Sequence, residues 1–164
     1  MNATLMPLVI SSRDAAFGDH HVLDVLFDDL FVGYAMGDRL MNWQDFGRMQ
    51  LNRRDLRRRA AHALDAALDR VNIHGQPPAL MVDFGGIESS LLLADGFWDS
   101  LEGAVPGDIV VAVPARDVMI VTGSRSQPGL AKARRAVDRM FFAGGPHLLR
   151  PGLLVRHRGT WQPF

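Results

Sequence analysis

The sequence predicts an α+β fold in a single domain over residues 1–164, a mainly antiparallel β-sheet covered by two main amphipathic helices. Three observations lead there. Residues 108–113 and 117–122, "DIVVAV" and "DVMIVT", are apolar without clean alternation, the pattern of strands covered on both faces. Apolar residues recur at three- and four-residue intervals over 56–71 and again over 130–141, the stripes of two amphipathic helices. The 164 residues, 48% apolar and 22% charged, suffice for one domain with a core of its own.

Taken in order, residues 5–11, "LMPLVIS", form a short apolar and partly β-branched run that predicts a strand. Two further runs, 22–27 and 30–36, are separated by Asp28 and Asp29 and followed by Gly37 and Asp38, which suits strands joined by tight turns. The strand pattern is read as continuing into "RLMNW". At Asn52 the period changes to helical: Asn52 can cap, Asp55 follows three residues on, and Leu56, Ala60, Ala63, Leu64, Ala67, Leu68 and Val71 make the stripe. "VNIH" and 79–84 are strands held apart by Pro77 and Pro78, which cannot continue a ladder. Residues 89–103 read as a helical segment broken near Gly96. Pro114 is placed in the turn between the two buried strands, with Arg116 and Asp117 at its exit. Ser126 and Pro128 open the last helix, striped by Leu130, Ala133, Val137, Met140 and Phe141, and "AGGPH" ends it. "LLVRHRGTWQPF" predicts a closing strand or hairpin.

The stretches "GDIVVAVPARDVMIV", "MFFAGG" and "LLVRHRGTWQPF" resemble the closing portion of the YtpQ-like family of bacterial proteins, and "VGYAMGD" and "SSLLLADGFWDSL" match it more loosely. The resemblance implies that the chain corresponds mainly to the C-terminal part of longer family members. The family's function is unassigned, and the matching positions are Val, Pro, Phe and Gly. The resemblance therefore implies packing and turns, and it brings no catalytic residue with it.

The composition narrows the chemistry. With no cysteine there is no disulfide, thiolate metal site or cysteine nucleophile. The sequence has no Gly-x-Ser-x-Gly elbow, no phosphate-binding Walker loop and no dinucleotide fingerprint. No cofactor and no metal are expected. Adjacent His20 and His21 on an extended chain would point to opposite faces, and His62, Asp65 and Asp69 share a helix face with no second element to complete a ligand set. Without a transmembrane run or a signal-peptide pattern, no membrane partner and a cytoplasmic location are expected.

Formal charge is zero but unevenly distributed: residues 1–50 hold seven Asp against three Arg, and residues 101–164 hold nine Lys and Arg against four acidic groups. Arg53, Arg54, Arg57, Arg58 and Arg59 crowd the start of a helix, where the macrodipole opposes cations, so an acidic partner or a phosphate would account for them. These observations give three expectations. The first is a non-enzymatic protein-binding module, in concrete form an immunity or antitoxin-like protein that neutralises a toxin. Its contacts would be Asp24, Asp28, Asp29, Arg53, Arg54, Arg57, Arg58, Arg116 and Asp117. The second is a hydrolase with a carboxylate site at Asp83, Glu88 and Ser89, where a strand end meets a helix start. The third is phosphate or nucleic-acid binding through the arginine-rich helix, which the zero net charge disfavours.

Overall fold

The computed structural model describes residues 4–164. In chain order the elements are β1 (Leu5–Ser11), β2 (Asp24–Phe27), β3 (Leu30–Met36), β4 (Arg39–Leu40), α1 (Trp43–Met49), α2 (Arg53–Ala67), β5 (Asn72–His74), β6 (Leu80–Asp83), α3 (Asp95–Asp99), β7 (Ile109–Ala115), β8 (Val118–Gly123), α4 (Gln127–Ala143), β9 (Leu154–His157) and β10 (Thr160–Pro163). Short 3₁₀ turns occupy Leu68–Arg70 and Glu88–Leu93.

The fold is α+β and its strands pair antiparallel, in two sheets rather than one. The larger sheet has the order β10-β9-β7-β8-β6-β5; the smaller has β1-β3-β2, with β4 joining β3. The apolar texture of β7 and β8 explains the layering. Val110, Ala112 and Ile120 meet Leu130, Ala133 and Val137 of α4 on one face. Ile109, Val111, Val113, Met119 and Val121 meet Leu91, Leu92, Trp98, Leu64 and Ala67 on the other, together with Val9 and Leu30 of the smaller sheet. Helix α2 therefore serves both sheets. Its Leu64 and Ala67 enter the main core, while Leu56 and Ala60 pack with Leu5, Val32, Tyr34 and Met41 of the smaller one.

The helix starts follow local chemistry. Asn52 accepts from the Asp55 amide and Ser126 from the Gly129 amide, each satisfying one orphan N–H of a first turn. Gly129 is needed for space: a Cβ there would collide with Thr122 Oγ1 and stand 2.7 Å from the Pro78 carbonyl oxygen.

Four expectations are corrected. "RLMNW" is not a strand beyond Leu40, because Asn42 and Asp45 form a capping box that starts α1 at Trp43. The break in the 89–103 segment lies at Ala94, where a 3₁₀ turn gives way to α3, and Gly96 sits inside that helix. Pro114 is a strand residue of β7; the register shifts between Ala112 and Ala115, where a missing N–H is tolerated, and the Pro114 carbonyl accepts from the Leu149 amide. His20 and His21 do not diverge, since the chain turns there and brings their ring centroids to 4.0 Å. Among the described residues no helix is long and apolar enough to cross a membrane.

Trp98 joins the layers. It is fully buried, its Nε1–H donates to the Leu91 carbonyl at 2.6 Å, and its ring meets those of Phe97 and Trp161 edge to face. Trp98→Ala is expected to destabilise the fold by about 3–5 kcal/mol, measured by urea unfolding followed by circular dichroism.

Candidate binding groove

Strand β2 is an edge, paired on one side by β3 and on the other by no strand among the described residues. Its residues line two neighbouring depressions in turn. One of about 320 Å³ is walled by Asp24, Val25, Leu26, Val32 and Tyr34 on the sheet and by Arg57, Ala60, Ala61 and Leu64 on α2. The next, of about 330 Å³, is walled by Leu26, Phe27 and Leu30, by Leu92 and Asp95, and by Leu154, Thr160 and Trp161. Leu26 and Leu93 belong to both, so the two depressions form one apolar groove along β2. Val25, on its lip, is 74% exposed.

At one end of the groove lies a dense polar cluster. Arg57 holds the Asp24 carboxylate with two hydrogen bonds, Nε to Oδ2 at 3.1 Å and Nη2 to Oδ1 at 2.6 Å. Arg53 Nη2 donates to Asp24 Oδ1 at 2.5 Å and to the Leu23 carbonyl at 3.0 Å, and its guanidinium lies over the Trp43 ring. The Tyr34 hydroxyl donates to Asp24 Oδ2. Burial alone would raise the Asp24 pKa. Hydrogen bonds from Arg57 and Tyr34, with the charge and hydrogen bond of Arg53, outweigh it and bring the carboxyl to about 2. The Tyr34 hydroxyl moves well above the ordinary phenol range, first through burial and then through its bond to that carboxylate. The acidic partner that the arginines at the start of α2 call for thus comes from β2 of the same chain.

The other anticipated contacts are dispersed. Asp28 meets Arg150 at 3.2 Å, and Asp29 meets Arg13 at 3.1 Å. Arg58 meets Asp55 within the helix at 3.5 Å, while Arg54 and Asp117 are exposed and make no ion pair among the described residues. Arg116 donates to the buried Asp14 at 2.9 Å, and His147 Nδ1 lies 3.1 Å from the same oxygen. The predicted carboxylate site does not converge. Asp83 is exposed at the end of β6 and pairs with His74 Nε2 at 2.8 Å. Glu88 is buried, its Oε1 accepting from the Phe84 and Gly86 amides, and so it holds the loop after β6 closed. Ser89 is fully buried, and none of Asp83, Glu88 and Ser89 lines a wall of the groove. No trio of His, Asp or Glu among the described residues is placed to hold a metal ion.

Sequence reasoning missed Tyr34, Leu26, Leu93 and Asp95. One signal was available: the single tyrosine of the chain stands in an apolar strand, and a buried phenol needs a partner for its hydroxyl. No family model matches the chain, and no curated protein or solved structure matches it either.

The Asp24 shift has a definite sign in stability. A carboxyl whose folded pKa lies below its unfolded value of 3.8 stabilises the fold above that value, and the contribution is lost as pH falls from about 4 to about 2. Asp24→Asn is expected to be less stable than the wild type at pH 7 by about 1–3 kcal/mol, since it leaves two guanidiniums without their carboxylate. The gap is expected to narrow across that acid window, as read from urea midpoints at successive pH values.

Proposed function

We propose that the chain is a protein-binding module that takes an extended segment of its partner into the groove beside β2. The observation that carries this reading is the coincidence of an unpaired strand edge with an apolar groove along it. Unpaired backbone N–H and C=O groups on an edge are satisfied best by another strand. The groove then supplies depressions for alternate side chains of the guest, as strand addition requires. On the groove's far wall Thr160 and Trp161 belong to β10, itself the edge of the larger sheet. A guest seated there meets an edge strand from each sheet. An immunity or antitoxin-like protein, which occupies a toxin through such a surface, is the concrete form of the proposal. A hydrolytic reading has less support, because Asp83 and Glu88 occupy separate surroundings.

The test is selection from a displayed library of random eight-residue peptides, followed by amide hydrogen exchange on the complex. Expected are peptides with alternating apolar residues that slow exchange in β2 and β10 and lose at least tenfold in affinity on Val25→Asp. That substitution changes an exposed side chain and leaves the core alone. Absence of any selected peptide, or protection confined to other elements, would overturn the proposal.

A further inference from the structure

The two ends of the groove carry opposite charge, and this specifies the guest beyond its extended shape. At the α2 end two guanidiniums, Arg53 and Arg57, stand against the one carboxylate of Asp24. Arg57 uses Nε and Nη2 on Asp24, its Nη1 makes no hydrogen bond among the described residues, and its side chain is 57% exposed. Arg54, one turn earlier on α2 and exposed, makes no ion pair among the described residues and stands just outside the lining. At the opposite end the arrangement inverts. Asp95 lines the groove and is 74% exposed, and Asp95, Asp99 and Glu102 share a single cation, the buried Arg156. Arg156 reaches Asp95 at only 3.7 Å and is nearer the other two, so the Asp95 carboxylate remains open to a second partner.

We infer that the groove accepts a polypeptide segment of fixed charge order: a carboxylate against Arg57 with the exposed Arg54 a turn beyond it, apolar side chains over Leu26 and Leu93, and a basic residue against Asp95. This rests on the reading of the groove as a strand-binding site. The two ends are walled by different elements, α2 at Arg57 and the start of α3 at Asp95. Exposed charges are screened over about 8 Å at physiological salt, so each end acts mainly on the guest group set beside it. A nucleic acid would satisfy the arginines, but it carries no cation to pair with Asp95, its phosphates repel that carboxylate, and it has no aliphatic side chains for the groove.

The experiment compares synthetic peptides that share one alternating Val-Thr core. They are a neutral peptide, a Glu-ended and Lys-ended peptide made in both sequence orders, one with Glu at both ends, and one with Lys at both ends. Affinities are measured by fluorescence anisotropy at low and high salt. One order of the mixed peptide is expected to bind about two- to fivefold more tightly per charged end than the neutral core, as exposed ion pairs allow, with the advantage lost at high salt. Asp95→Lys is expected to transfer the preference to the peptide with Glu at both ends, and Arg54→Glu to weaken the mixed peptide while sparing the neutral one. Both positions are exposed, and thermal unfolding confirms that the variants are folded. Equal affinity for all charged forms and the neutral core would sink the charge order while leaving strand binding in place. Failure of the neutral core itself to bind would sink strand binding. Displacement of every peptide by a short single-stranded oligonucleotide at lower concentration would overturn the inference in favour of nucleic acid.

Discussion

The pair β7 and β8 must be covered twice, and the rest of the molecule follows from that constraint. Their buried residues alternate between two apolar faces, so one layer of helix cannot suffice. Helix α4 is long enough to close one face by itself. The opposite face is closed by a composite: the segment carrying Leu91, Leu92 and Trp98, the second half of α2, and Val9 and Leu30 from the smaller sheet. A composite cover has seams where its pieces meet. The groove along β2 is such a seam, bounded by the smaller sheet, by α2 and by the 3₁₀ turn that carries Leu93.

The Asp24 cluster fixes the width of that seam. Helix α2 is committed at its far end by Leu64 and Ala67 in the main core, and near its start by Leu56 and Ala60 in the smaller one. Arg53 and Arg57, one turn apart on the same helix face, then reach the first residue of β2. The contact joins helix to strand by side chains, where apolar packing alone would draw the two together and close the groove. Charged groups of this kind contribute little net stability once desolvation is counted, yet removal of one partner is costly. Their effect here is geometric: they hold β2 beside α2 with an open, apolar-walled gap between them.

Much of this architecture is legible in the sequence, and the limits have physical causes. The central strands, the stripes of α2 and α4 and the caps at Asn52 and Ser126 depend on neighbours within a few residues, which periodicity and capping chemistry report directly. The start of α1 was equally local, in the Asn42 and Asp45 box, but it was masked by the preceding apolar run. Division into two sheets is a different matter, since it depends on which strands pair across the chain. The groove is harder still to read. Leu26 and Leu93 lie 67 positions apart and look like ordinary core residues until their exposed sides are seen to share a wall. The charges illustrate the same limit. The arginines of α2 announced a need for an acidic partner, and Asp24 stood among the candidates, but nothing in the sequence joined them.

An exposed edge beside an apolar groove invites indiscriminate pairing, and β2 limits it. The strand is four residues long, its register slips between Val25 and Phe27, and its first residue is a carboxylate already bound by two arginines. Shortness, irregularity and charge each weaken edge-to-edge association with other sheets. Backbone pairing along four residues would therefore be too little to hold the proposed guest alone. On that reading, affinity comes from side chains that fill the depressions at Ala60 and Leu64 and at Leu92 and Trp161, and from groups matched to the charges at either end. On the proposed reading, an edge so restrained would select its occupant by side chain and admit the backbone only as a consequence.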